Sequence, residues 1–480
     1  MKTFRFAFVG VCVLVLAHRT DGAANDKVFR AGAVAQDITP THFPISVNGG
    51  MTDRQATDAH DRLHARCLVL DDGTTRLAIV VCDSCMIPRE IMDTAKALAE
   101  RTTGIPASHI LISATHTHTA PTAGGVFQSD PNPEYVQYLP QQIAKGIQRA
   151  DAQREPAKIG WAVGSDPTQV FNRRWSLKPG TMPENPWGKF DQVKMNPGAG
   201  NKNLVKPAGP IDPEIPIVSV VARDGRPIAL LANYSLHYVG GWPALSADYF
   251  GAFAERVKKL IGAEDVKPAF VGIMSNGTSG DINNINFASP SAPPPSGVSK
   301  IEVVADSVAQ AAVAALKTVE YHDWVALKVA EREIELGVRL PSASDVVEAE
   351  AIIAKAKAPV MKGLSEVYAR ETVLLSKYPP TVKMKLQAMR IGDLGIVSSP
   401  CETFVEIGLA IKKNSPLKPT FTIELANGYN GYLPTPEQHA LGGYETWRAR
   451  SSYLETGASP KIYATLMQLL DEVADAKTRK

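Results

Sequence analysis

Cysteine is scarce in this chain, charge of either sign is balanced, and beyond the first residues there is no long apolar run. Five cysteines in 480 residues do not make a disulfide-built scaffold, and a chain of this length can bury a core without one. Lys plus Arg (51) nearly cancels Asp plus Glu (49), for a net charge of +2, so no basic stripe points to nucleic acid. No later stretch approaches the roughly 20 apolar residues of a membrane-spanning helix. The mature protein is therefore expected to be soluble or in peripheral contact with a membrane. No internal repeat or Gly/Ser linker divides the sequence, which predicts a single compact catalytic domain.

The N-terminus is the exception. MKTFRFAFVGVCVLVLAHRTDGAAND puts Lys2 and Arg5 before an apolar run from Phe6 to Ala17, then small residues from Gly22 to Ala24. This is the pattern of a secretory signal peptide over residues 1–24, cleaved near Ala23 or Ala24. The mature chain, 25–480, is expected to be exported, either secreted or periplasmic. Cys12 leaves with the signal, and Cys67, Cys82, Cys85 and Cys401 stay. Cys82 and Cys85 have the spacing of a redox pair or of half a zinc ribbon, but no second pair completes a four-sulfur site. Buried thiols at the end of the strand LAIVVCDSC are the simpler reading.

Short β-rich runs alternate with helical patterns. RLAIVVC (76 to 82) precedes the helix-like REIMDTAKALAERT, and HILISAT (109 to 115) follows it. IPIVSVVARDG and PIALLANYSLH are joined at Asp224-Gly225 as in a hairpin. Then come the helix YFGAFAERVKKLIG, the strand PAFVGIMS, and near the C-terminus LGIVSS, FVEIGLAIKK and TFTIELAN. The order predicts an α/β fold with mixed, partly parallel β-sheets flanked by helices. Residues 172 to 213 are rich in Pro, Gly and Asn, residues 288 to 298 are Pro-rich, and residues 344 to 376 read as helical, with an αα-hairpin in view.

The chemistry concentrates at strand ends. In ISATHTHTAP, His116 and His118 follow an apolar strand two residues apart, so an extended backbone turns both rings to one side. His237 ends the strand of NYSLHYVGG, and Glu402 follows that of VSSPCETFVE. Strand ends meet at one edge of an α/β sheet, where such folds place ligands. Two imidazoles and a carboxylate are the ligand set of a catalytic zinc site with an open position. Taken singly, His237 also reads as a core histidine and Glu402 as a carboxylate at a helix N-terminus.

In chain order, AVAQDITP, DRLHARCLVLDDG, SATHTHTAP, FNRRW, NYSLHYVGG, SNGTSGDINN, SSPCETFVE and ANGYNGYLPTPEQHALGGYETW resemble the neutral, non-lysosomal ceramidases. The resemblance implies a zinc-dependent hydrolase acting on a linear amide, with a small amphipathic acyl-amide as substrate. In that family a metal-activated water cleaves N-acylsphingosine to a fatty acid and a sphingoid base. The implied Zn2+ ligands are His116, His237, Glu402 and Tyr432. His118, Arg173 and Tyr444 match positions that face the substrate around the metal. Asn283 stands where the family has a serine assigned a catalytic role; an asparagine cannot be a nucleophile, but it can hydrogen-bond a substrate oxygen. The family's C-terminal β-rich domain is expected to be missing. Rival readings are a hydrolase of another N-acyl or ester compound, a non-catalytic binding protein of the same fold, and a thiol redox protein using Cys82 and Cys85.

Overall fold

The computed structural model describes residues 1–4, 7, 27–241, 244–290, 299–356 and 359–475. Nearly all of the expected signal, with its cleavage point, lies outside the described residues, as does most of the Pro-rich stretch at 288 to 298. No helix among the described residues is long and apolar enough to cross a membrane.

The strands are Arg30–Asp37 (β1), His64–Asp71 (β2), Arg76–Cys82 (β3), Ile110–Ala114 (β4), Glu155–Ser165 (β5), Glu214–Ala222 (β6), Pro227–Tyr234 (β7) and Val271–Asn276 (β8). They form one mixed sheet in the order β8-β7-β6-β5-β1-β2-β3-β4. The outer pairs, β7 with β8 and β3 with β4, are parallel, and the pairs between them antiparallel. Both faces of this sheet are covered, which is why β2 and β3 read as nearly continuous apolar runs. Successive side chains alternate between two cores. Ala65, Cys67, Val69, Val80 and Cys82 face the helices Arg89–Thr103 (α1) and Pro133–Ala152 (α2). Leu68, Leu70, Leu77, Ile79 and Val81 face a second sheet.

That second sheet runs Leu327–Gly337 (β9), Thr381–Ile391 (β10), Leu394–Ser399 (β11) and Thr420–Glu424 (β12), in that order. Its outer face packs on the helices Val405–Asn414 and Ala458–Val473, and Asp248–Leu260 (α3) and Lys300–Leu316 (α4) cover the far end of the first sheet. The result is four layers, helix, sheet, sheet, helix. Local chemistry agrees with these elements. Gly104 (φ 70) closes α1 with its N–H on the Glu100 carbonyl, and Ser299 with Glu302 forms a capping box for α4.

Two expectations need refinement. Residues 172 to 213 are not wholly irregular, since Arg174–Leu177 pairs with both Lys194–Met195 and Leu204–Pro207. Residues 344 to 376 are not helical throughout, since the helices Ala343–Lys355 and Leu364–Leu375 are separate and pack on each other.

A glycine sets how closely the first two layers approach. A Cβ on Gly32 in β1 would lie 2.2 Å from the Ala150 carbonyl oxygen of α2, a backbone atom that cannot swing aside. Gly32→Ala is therefore expected to destabilise the fold by about 1–3 kcal/mol, the usual cost of overpacking, measured as a lower denaturation midpoint. An unchanged midpoint would mean that α2 slides without penalty.

Candidate metal centre

The first sheet curls until its edge strands β8 and β4 touch, and β12 of the second sheet contacts β4, β7 and β8. The carboxyl ends of β4, β7 and β11 therefore converge, although they belong to two sheets. The single sheet edge expected from the sequence is corrected in this respect: Glu402 comes from the second sheet, and packing of one sheet on the other brings it to the histidines.

His116 leaves β4 in a left-handed conformation (φ 74), uncommon for any residue but glycine and therefore held by its surroundings. Its N–H donates to the Ser84 carbonyl at 2.9 Å, and its ring Nδ1 lies 2.8 Å from the Cys85 carbonyl oxygen. A carbonyl only accepts, so Nδ1 carries the proton and, in the neutral ring, Nε2 presents a lone pair. His237 repeats the arrangement, with Nδ1 3.2 Å from the Ser279 carbonyl oxygen. The two Nε2 atoms are 3.1 Å apart. Glu402 Oε2 lies 3.2 Å from the first and 3.9 Å from the second. All three side chains are buried.

Two lone pairs and a carboxylate oxygen thus face one another out of water. Such a set is repulsive unless positive charge sits among it. Glu402 Oε2 is a buried oxygen without a hydrogen-bond donor, whereas Oε1 accepts from the Tyr429 hydroxyl at 3.0 Å. The buried groups also perturb one another. Burial alone would lower His116, yet Glu402 raises it well above the ordinary imidazole range. Burial alone would raise Glu402, yet His116 holds it below the usual carboxylate value. His237 is pushed well down by burial and by the nearby Arg173. The donor set fits a divalent ion bound by two imidazoles and a carboxylate, with each imidazole oriented by a backbone carbonyl.

The other expected residues surround this set. Glu402 and Tyr432 are register partners in a short parallel pair, which puts the tyrosine beside the carboxylate. The Tyr432 hydroxyl accepts from Arg173 Nη2 at 3.1 Å. Arg173 also donates to the Gly280 carbonyl and to Glu445. His118 Nε2 is 3.3 Å from His116 Nε2, and its ring stacks on Tyr238 at 3.6 Å. Gly49 presses on that ring, with no room for a Cβ. Tyr444 packs edge-on against Tyr432. Met86, Val126, Phe127, Tyr429 and Tyr444 line a narrow pocket of about 20 Å³ over His116, His118 and Glu402. Asn283 is turned elsewhere: its Nδ2 donates to Asn196 at 2.7 Å and its Oδ1 accepts the Ile285 N–H.

Several participants carried no signal in the sequence. Tyr429 holds Glu402, Tyr238 backs His118, and Glu445 bridges Arg173 and Arg174 at 2.9 and 2.6 Å. Cys85 lines the cavity, with its Sγ 3.8 Å from His116 Nδ1. It joins His116 and His118 in a second group able to hold a soft metal. All four described cysteines are free and buried, in keeping with their reading as buried thiols.

No protein-family model matches the chain. Its structure is similar to the crystal structure of neutral ceramidase from Pseudomonas aeruginosa, with a TM-score of 0.69 at 18% identity, covering 95% of this chain and 76% of that one. It is likewise similar to a ceramidase complexed with C2, with a TM-score of 0.67 at 17% identity, covering 95% and 77%. The chain therefore has the fold of these ceramidase structures.

Proposed function

We propose that this chain is a zinc-dependent hydrolase of the neutral-ceramidase family, cleaving the N-acyl bond of a small amphipathic substrate. The observation that carries the reading is the convergence of His116 Nε2, His237 Nε2 and Glu402 Oε2, three buried acceptors within 3.9 Å of one another. Likeness of fold to ceramidase structures supports it. When bound there, with Tyr432 as a fourth ligand, the ion would polarise the scissile carbonyl and acidify a water.

The remaining steps fall to the chain's own groups. His118, beside the ligand set, would take a proton from the attacking water and return it to the leaving amine nitrogen. Arg173 would lend positive charge to the Tyr432 hydroxyl, and Tyr444 would donate to the oxyanion. Met86, Val126 and Phe127, which border the pocket, would shield the reacting carbonyl from bulk water. No nucleophilic side chain is required, which suits the Asn283 position. The products would be a carboxylic acid and an amine, a fatty acid and a sphingoid base in the ceramide case. Export ahead of this reaction, directed by residues 1–24, belongs to the same proposal.

The test is a hydrolysis panel with the zinc-loaded protein, comparing N-acylsphingosine, other N-acyl amines and acyl esters. Turnover is expected to favour the amides. Preference for esters would move the protein to the rival hydrolase reading. Stoichiometric zinc with no turnover on any member would leave a binding protein of this fold.

A further inference from the structure

The three ligand strands come from two sheets, so something must lock the sheets in register to within a fraction of an ångström. The lock is the segment that follows β12. Glu424, the last residue of that strand, is fully buried. Its Oε1 accepts from the Ser279 hydroxyl at 2.6 Å. Its Oε2 accepts the Thr403 N–H at 2.7 Å and the Ser279 N–H at 3.3 Å. Ser279 is the residue whose carbonyl orients His237, and Thr403 is bonded to Glu402. One carboxylate therefore ties the backbone behind a histidine of the first sheet to the backbone behind the glutamate of the second.

The adjoining backbone reaches the third ligand. The Leu425 carbonyl accepts the Ala114 N–H at 3.1 Å, and the Asn427 N–H donates to the Ile112 carbonyl at 2.8 Å, both on the strand that delivers His116. The Leu425 and Ala426 N–H groups donate to the Cys401 and Ser399 carbonyls at 3.3 and 3.0 Å, on the strand that delivers Glu402. This stitching requires left-handed backbone at Leu425 (φ 52) and Asn427 (φ 64), which a leucine seldom adopts. Glu424 forms no ion pair among the described residues, and its contacts are the hydrogen bonds to Ser279 and Thr403.

We infer that Glu424 is a positioning residue for the metal centre, holding the His237 and Glu402 ligand segments in one geometry across the two sheets. The inference rests on the proposed metal site. The Thr403 and Ser279 N–H groups share Oε2 and need an acceptor there, so a carboxamide would have to turn its N–H₂ toward the Ser279 hydroxyl and reverse that hydrogen bond.

The test uses the full-length purified protein and three variants, Glu424→Gln, Ser279→Ala and His116→Ala. Two readouts serve: zinc affinity by chelator competition, and the visible absorption of the Co2+-substituted protein. Glu424→Gln is expected to weaken zinc binding roughly 10–100-fold, the range for outer-shell partners of a metal, and to shift the Co2+ bands. Ser279→Ala, which removes one donor, is expected to move both readouts in the same direction by roughly tenfold or less. Should Glu424→Gln fail to fold, Ser279→Ala decides. A folded Glu424→Gln protein with wild-type zinc affinity and an unaltered Co2+ spectrum would overturn the positioning role. If His116→Ala also keeps wild-type affinity, the metal site itself is wrong. If only His116→Ala loses zinc, the site stands and the role of Glu424 falls.

Discussion

His116→Ala is expected to lose zinc and to lower hydrolysis of the preferred acyl substrate roughly 10³-fold or more. Lewis-acid polarisation contributes several kcal/mol to transition-state stabilisation, and each ~1.4 kcal/mol is a factor of ten. The variant removes the Nε2 nearest to both of the other acceptors, 3.1 Å from His237 and 3.2 Å from Glu402. Without it, a cation keeps one imidazole, one carboxylate and the Tyr432 phenol, a weaker set than the two imidazoles and carboxylate of a catalytic zinc site.

Stability provides a readout independent of turnover. An ion bound only by the folded state stabilises it by about 2.7 kcal/mol at a hundredfold excess over Kd. Wild-type melting should therefore rise on adding zinc to stripped protein, and that of His116→Ala should not. Hydrolysis that survives chelation, or an equal zinc-induced rise in both proteins, would refute the metal centre.

Glu445→Ala is expected to produce the largest loss of stability. Glu445 is fully buried, and its two oxygens receive Arg173 Nε at 2.9 Å and Arg174 Nη1 at 2.6 Å. Removing it leaves two buried guanidinium groups without a counter-charge, a change that costs about 3–5 kcal/mol when one partner of a buried pair is deleted. Added salt should recover little of this, because the site is shielded from solvent. The denaturation midpoint measures it, and Glu445→Gln, which keeps an acceptor, should fall between the two. Activity should drop as well, since Arg173 also donates to the Tyr432 hydroxyl. If the midpoint does not move, the carbonyls of Gly280, Gln438 and Gly442 that also receive these arginines suffice to hold them.

Much of the fold could be read from periodicity, because burial on both faces leaves unbroken apolar runs such as Leu77 to Cys82, and short turns such as Asp224-Gly225 mark where strands reverse. The predicted runs of β3, β4, β7, β8, β11 and β12 correspond to strands within a few residues. The small sheet around Arg174–Leu177 went unseen, since its two- and four-residue strands are too short to show a period and owe their pairing to contacts distant in sequence. Of the site, the histidines and Glu402 could be seen because each closes an apolar strand. Glu424 closes one too, but a lone acidic residue at a strand end carries no mark of what it bonds. Tyr429 and Tyr238 sit in loops and Glu445 in a single 3₁₀ turn, Tyr444–Thr446, where local pattern says nothing about partners.

By itself the sequence determined the alternation of strands and helices and the positions where polar side chains interrupt apolar strands, because those follow from hydrogen-bonding period and burial within a few neighbours. The tertiary structure alone decided that those positions belong to two sheets, that the first sheet curls until its edges meet, and that three acceptors from strands far apart in the chain face one another within 3.9 Å. Convergence of that kind depends on how layers pack and on which backbone carbonyl each imidazole meets, and neither is encoded in the local spacing of residues.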